Sequence, residues 1–75
     1  MNTFTFQNYL DLDRIYWNDP DNHKKQRFGQ FIINNISDEV ASALKKFLGE
    51  DYQRLYYTES YDEANDYIVK YLLSI

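Results

Sequence analysis

The chain has 75 residues, a net charge of −4, one histidine and no cysteine. A chain of this length forms one domain at most, and the missing cysteines exclude disulfides, thiolate metal sites and cysteine nucleophiles. An apolar content of 44%, with only two glycines and one proline, argues against a disordered chain. We expect a single folded domain over residues 1–75 that binds no metal and no cofactor.

The sequence also has no feature that would direct it to a membrane. Met1 is followed by phenylalanines that alternate with polar residues, not by a basic start and a continuous apolar segment. No apolar run approaches the ~18 residues of a membrane-spanning helix. We expect a cytoplasmic protein that makes no membrane contact.

The first predicted helix covers residues 5–17 and is capped by Thr3 or Thr5. Its apolar side chains fall into two groups on the helical wheel, so its apolar surface is wide. Such a surface either packs on two neighbouring helices or leaves aromatic side chains exposed, and it is consistent with a homodimer. Because the residue before a proline avoids the helical region, Asp19 and Pro20 predict a turn over residues 18–22. The two groups are Phe6, Leu10 and Trp17 on one side, and Tyr9, Leu12, Ile15 and Tyr16 on the other.

The second predicted helix covers residues 24–36 and contains a glycine at an apolar position. At ~100° per residue, Phe28, Phe31 and Ile32 face the core, and Gly29 falls on the same apolar side. Glycine costs a helix ~1 kcal/mol relative to alanine, and it allows another helix to approach closely. We favour this close approach over a local kink. Asn35 is expected to be a buried or half-buried amide with a backbone partner.

The third and fourth predicted helices have clear start and stop signals. Ser37 caps a helix that ends at Gly49. Ser60 and Glu63 predict a capping box at the start of the last helix, whose apolar stripe extends to Ile75. Residues 50–59 between these helices are read as a loop or a short helical turn. The predicted fold class is all-α, a compact bundle of about four short helices.

One stretch of the second helix resembles a known pattern. Arg27-x-Gly29-Gln30 and, after three residues, Asn34-x-Ile36 are similar to the Arg-x-Gly-Gln-x-x-x-Asn-x-Leu/Ile helix of small uncharacterised proteins from bacteria and their phages. In those proteins the helix follows a shorter first helix and precedes an acidic or Asp-Pro-aromatic segment and a short last helix. The resemblance implies a compact helical protein encoded by a phage or another mobile element.

A polar stripe along one edge of this helix is the first candidate site. Arg27, Gln30 and Asn34 lie within a narrow sector of the helical wheel. Guanidinium and amide groups provide several donors with fixed geometry, which suits the recognition of a partner protein. The alternative is structural: these groups would bond to backbone carbonyls of a neighbouring loop, and Arg27 would pair with a nearby carboxylate.

A second candidate site combines tyrosines with carboxylates. The three tyrosines in residues 52–57 cannot all be buried, and tyrosine suits interfaces because it joins an apolar body to a polar tip. On the last helix, two apolar residues that do not fit the buried stripe lie next to acidic ones. Together they predict an aromatic, acidic docking surface, although packing and solvation are the simpler roles. Its residues are Tyr52, Tyr56, Tyr57, Asp62, Asp66, Val69 and Leu73.

Nucleic-acid binding is a less favoured alternative. Lys24, Lys25 and Arg27 form a small basic cluster that would bind DNA weakly. DNA mimicry by the acidic surface is a second version, although a net charge of −4 is small for the imitation of a phosphate backbone. A further alternative is a small structural component of a larger assembly.

Taken together, the residues favour binding over catalysis. The sequence contains no nucleophile motif, no glycine-rich phosphate loop and no zinc-binding spacing. His23 and the carboxylate pairs on helix surfaces are most simply solvated, so we assign no catalytic residue. We predict a non-enzymatic module for protein–protein interaction. With the resemblance, the expected partner is a host or defence protein that the chain inhibits, in the manner of anti-CRISPR proteins.

Overall fold

The computed structural model describes residues 4–74, except for the side chain of His23. The described residues form six helices and no strand, so the all-α class is confirmed. The prediction of about four helices is wrong, because two short helices occupy segments that were assigned to a turn and to a loop or helical turn. The predicted helix cap at Thr3 and the predicted end of the apolar stripe at Ile75 lie outside the described residues. The helices are α1 (Phe6–Asn18), α2 (Pro20–Lys25), α3 (Phe28–Asn34), α4 (Asp38–Leu48), α5 (Asp51–Tyr57) and α6 (Tyr61–Ser74).

The start of α1 and the start of α2 are both set by side-chain caps. Thr5 and Asn8 form a capping box, with each side chain accepting the other residue's backbone N–H at 3.1 Å. Asp19 accepts the N–H of Asp21 at 3.0 Å, and Pro20 occupies the first position of α2. A proline needs no N–H partner at that position. Asp19 and Pro20 therefore start a second helix, where the sequence predicted a turn.

The predicted helix over residues 24–36 is interrupted at Gln26. The backbone of Gln26 is extended, with φ −147° and ψ 151°. Its carbonyl accepts a hydrogen bond of 2.8 Å from the hydroxyl of Tyr16 in α1. A bond between distant parts of the chain thus replaces the next helical turn, and α3 begins only after Arg27.

The glycine of α3 serves the close approach that the sequence predicts. Gly29 is buried against α5. A Cβ atom at Gly29 would overlap the carbonyl oxygen of Leu55 and lie 2.9 Å from its carbonyl carbon. Leu55 itself has no exposed surface. The absence of a side chain at Gly29 therefore lets α3 and α5 pack with their backbones nearly in contact.

The ends of α4 and the start of α6 follow the predicted signals in most respects. Ser37 caps α4, and Gly49 ends it with a φ of +59°, a conformation that favours glycine. At α6, Ser60 accepts the N–H of Glu63 at 3.2 Å, as predicted. The reciprocal half of the predicted capping box is wrong, because the N–H of Ser60 donates to the hydroxyl of Thr58 at 3.1 Å.

The core forms where the last four helices meet, and α1 covers one side of it. The largest fully buried side chains are Ile32, Leu44, Leu55 and Ile68, one from each of α3 to α6. In residues 4–74 no helix combines the length and apolar character needed to cross a membrane.

Only one edge of α1 is buried. Tyr9 and Tyr16 lie in the core and Leu12 packs against it. Ile15 belongs to the same side of the helical wheel, yet it is 52% exposed. The opposite group of apolar side chains is exposed as well. This second group is Phe6, Leu10 and Trp17.

Candidate functional site

The polar stripe of α3 connects that helix to its neighbours. A guanidinium nitrogen of Arg27 lies 3.4 Å from a carboxylate oxygen of Glu59. The amide of Gln30 donates to the hydroxyl of Tyr56 at 3.3 Å. Asn34 is exposed. The predicted ion pair of Arg27 is therefore present, whereas Gln30 bonds to a side chain of α5 and not to a loop carbonyl. Partner recognition by these residues stays a prediction.

The amide of Asn35 differs from its prediction in one respect. Its nitrogen donates to the backbone carbonyl of Phe31 at 2.8 Å, so the predicted backbone partner is confirmed. The predicted burial is wrong, because Asn35 follows the last turn of α3 and is exposed there.

The tyrosines of α5 occupy a surface next to the polar stripe. Tyr52 and Tyr56 are half-buried, and Tyr57 is exposed. The rings of Tyr56 and Tyr57 meet edge to face, with centroids 4.9 Å apart. Burial raises the pKa of Tyr52. Through Gln30 and Tyr56, the structure brings the tyrosines of α5 and the polar stripe onto one connected surface.

The predicted acidic part of that docking surface lies elsewhere. Helix α5 faces the edge of α6 that carries Tyr67, and the phenol of Tyr67 raises the pKa of the Arg54 guanidinium. At ~100° per residue, the other four predicted residues lie on a different edge of α6. The predicted docking surface is thus two separate surfaces. The four residues away from α5 are Asp62, Asp66, Val69 and Leu73.

Two hydrogen bonds fix how α1 and α6 lie side by side. The hydroxyl of Tyr9 donates to Asn65 at 2.5 Å, and the hydroxyl of Tyr61 donates to the carboxylate of Asp13 at 2.7 Å. From Tyr9 to Asp13 the chain of α1 advances by four residues, while the partners on α6 go back by four, from Asn65 to Tyr61. The two helices are therefore antiparallel. The same register places residue 5 level with Val69.

Apolar side chains lie on one side of the α1–α6 pair. At ~100° per residue, Phe6 and Leu10 of α1 fall on the same side as Val69 and Leu73 of α6. The register sets Val69 near the start of α1 and Leu73 one turn further along α6. Leu10 is 51% and Leu73 is 72% exposed, while Val69 is half-buried. We call Phe6, Leu10, Val69 and Leu73 the apolar face. The sequence shows both pairs but not that they lie on one side of the molecule, because the pairing of α1 with α6 depends on contacts between distant residues.

The phenols that join α1 to α6 stay neutral over a wide pH range. Burial, followed by the hydrogen bond to Asp13, raises the pKa of Tyr61 from 10.0 to about 12. Burial raises the pKa of Tyr9 as well. Both hydroxyls therefore remain available as donors near neutral pH.

A separate groove of about 570 Å³ lies where α1, α2 and the starts of α3 and α6 meet. The indole of Trp17 stands at its wall and contacts the ring of Tyr61 edge to face, with centroids 5.4 Å apart. Three cations and one carboxylate line the same groove. We call it the basic groove, and its charged residues are Lys24, Lys25, Arg27 and Glu59.

Within the described part of the chain, no three histidine, cysteine, aspartate or glutamate side chains lie together as metal ligands would. No protein-family model, curated protein or solved structure matches the chain.

Proposed function

We propose that this chain is a non-enzymatic protein-binding module whose docking surface is the apolar face. The observation that carries the proposal is the exposure of large apolar side chains on two adjoining helices. Leu10 and Leu73 each expose at least half of their surface, 51% and 72%. Several large apolar side chains exposed on one side of a small protein mark a site of association more often than a single exposed leucine does.

The apolar face is held in a fixed shape before any partner binds. The bonds of Tyr9 to Asn65 and of Tyr61 to Asp13 tie the two helices that carry it. A surface that is already ordered loses little conformational entropy on association. Such preorganisation favours binding by a rigid surface over coupled folding and binding.

The charges around the apolar face define the chemistry of the partner. Asp62 and Asp66 are exposed on the same edge of α6 as Leu73. The chain as a whole carries a net charge of −4. Opposite charges at the rim of an interface accelerate encounter and fix orientation. The partner we propose is a protein with an apolar patch flanked by lysine or arginine.

The biological role we propose is inhibition of a host or defence protein by a protein from a mobile element. Its support is the resemblance of the Arg27-x-Gly29-Gln30 helix to small proteins of bacteria and phages. The chain's small size and the lack of any motif for catalysis are compatible with an inhibitor that acts by occupying a surface.

Substitutions on the two exposed sides of α1 provide a matched test. Leu10→Gln changes the apolar face, and Ile15→Gln makes a similar change on the other side of the same helix at nearly equal exposure, 51% against 52%. Tagged wild-type and variant chains are used to capture proteins from a bacterial lysate. Each protein captured in stoichiometric amounts is then purified and titrated directly with the three chains.

The proposal expects a basic partner whose binding is lost with Leu10→Gln and retained with Ile15→Gln. Equal binding by both variants would contradict it. Sedimentation of the purified chain adds a further decisive result. A wild-type dimer that Leu10→Gln dissociates would assign the apolar face to a second copy and exclude the basic partner.

A further inference from the structure

We propose that the basic groove binds a nucleotide, either free or at the end of a single strand. The groove is distinct from the apolar face, because none of Phe6, Leu10, Val69 and Leu73 lines it. The inference therefore does not depend on the proposed protein partner.

The charge of the groove suits a phosphate group. Lys24 and Lys25 are exposed in the short helix α2 and form no ion pair with another described residue. Arg27 forms an ion pair of 3.4 Å with Glu59, and Glu59 is the sole acidic residue of the lining. The chain as a whole is acidic, with a net charge of −4, yet three cations line this groove. Phosphate oxygens form strong charge-assisted hydrogen bonds with such groups.

The wall beside these cations suits a planar base. Trp17 is 48% exposed, and its indole makes edge contacts with the rings of Tyr16 and Tyr61, at centroid distances of 5.0 Å and 5.4 Å. A partly exposed aromatic ring next to cations is the arrangement by which proteins stack single bases. The amides of Gln26 and Gln30 also line the groove and offer donors and acceptors to the edge of a base.

The size of the groove favours one nucleotide over a duplex. Small-molecule sites have volumes of roughly 300–1,000 Å³, and this groove measures about 570 Å³. A duplex would need cations spread along an extended face. The remaining exposed lysines, Lys45, Lys46 and Lys70, do not line the groove.

The single tryptophan of the chain provides the readout. Adenosine 5′-monophosphate is titrated while the fluorescence of Trp17 is followed, and equilibrium dialysis checks the result independently. Adenosine and inorganic phosphate are titrated separately, so that the base and the phosphate are tested alone. A short 5′-phosphorylated oligonucleotide tests whether the nucleotide is recognised as the end of a strand.

The decisive variants carry equal charge changes. Lys24→Gln/Lys25→Gln should weaken nucleotide binding by about tenfold or more, because it removes charge-assisted bonds to phosphate. Lys46→Gln/Lys70→Gln should leave binding unchanged. Adenosine and inorganic phosphate should each bind at least about tenfold more weakly than the nucleotide.

The outcomes distinguish a free nucleotide from a strand end, and both from a failure of the proposal. An oligonucleotide that binds more tightly than the nucleotide, with a steep dependence on salt, identifies a strand end. Similar affinities for both identify a free nucleotide. No saturable binding of either probe overturns the proposal, and so does equal binding by the two lysine variants or by inorganic phosphate and the nucleotide.

Discussion

Gly29 of α3 packs against the backbone carbonyl of Leu55 in α5, in a space that no side chain at residue 29 could share. This contact brings the two helices close enough for Gln30, the next residue, to bond to Tyr56, the residue after Leu55. The Gly-Gln part of the motif thus has a structural reason in this fold. The glycine permits the approach of the two helices, and the glutamine hydrogen bonds across it.

Replacement of this glycine should destabilise the protein. In an exposed helix, glycine to alanine would stabilise by about 0.5–1 kcal/mol. At Gly29 the added methyl meets a backbone carbonyl that cannot rotate away, so we expect Gly29→Ala to cost about 1–3 kcal/mol. Urea denaturation measures the change. The control is Ala43→Gly at an exposed position of α4, which should cost about 1 kcal/mol.

The comparison decides between packing and propensity. If helix propensity governed both sites, Gly29→Ala would stabilise the chain by about the amount that Ala43→Gly destabilises it. A higher urea midpoint for Gly29→Ala would therefore contradict the close packing of α3 on α5.

The members of the polar stripe should contribute unequally to stability. Gln30 accepts the N–H of Arg27 at 3.4 Å and donates to Tyr56, so we expect Gln30→Ala to cost about 1 kcal/mol. The ion pair of Arg27 with Glu59 is exposed, and such pairs contribute about 0–1 kcal/mol. We expect Arg27→Ala to lie at the low end of that range. Thermal and urea unfolding of both variants tests this order, and a larger loss for Arg27→Ala would show it to be wrong.

The pKa of Tyr61 predicts a loss of stability at alkaline pH. The folded state holds this phenol's proton more tightly than the unfolded state, with a pKa of about 12 against 10.0. Between these values the folded chain binds more protons, so its free energy of unfolding falls as the pH rises. The stabilisation is complete below pH 10 and is lost towards pH 12.

Tyr61→Phe should reduce this alkaline loss, because the variant has no phenol to ionise beside Asp13. The measurement is the unfolding midpoint as a function of pH, together with the ultraviolet absorbance of phenolate. Tyr57→Phe removes an exposed phenol on α5 and serves as the control. The same alkaline profile for both variants would be incompatible with the role assigned to Tyr61.

The apolar face should be nearly neutral for stability. Leu10 is 51% exposed, so Leu10→Gln is expected to change the free energy of unfolding by no more than about 0.5 kcal/mol. Leu55→Ala, at a fully buried position, should cost about 2–5 kcal/mol. A large loss for Leu10→Gln, seen in urea denaturation, would indicate that this leucine packs in the core.

Local signals in the sequence predicted the elements whose ends are fixed by nearby residues. Ser37 and Gly49 bound α4 in the sequence as they do in the structure. Gln26 could not be recognised in this way, because its helix ends through a bond to Tyr16, ten residues earlier. Proline at residue 20 was ambiguous, since it both ends one helix and starts the next.

The candidate surfaces, too, could be predicted within one helix but not across two helices. The spacing of Phe6 and Leu10 on α1, and of Val69 and Leu73 on α6, is visible in the sequence. Their position on one side of the molecule is not visible, because it depends on the antiparallel register that the bonds of Tyr9 and Tyr61 indicate.

Site-specific photocrosslinking tests the central claim most directly. A photoreactive amino acid replaces Leu10, Ile15 or Tyr57 in turn, at positions exposed on the apolar face, on the other side of α1 and on α5. After irradiation with the captured partner, we predict a crosslinked product from position 10 alone. Crosslinks from position 57 or 15, with none from position 10, would contradict the apolar face as the docking surface.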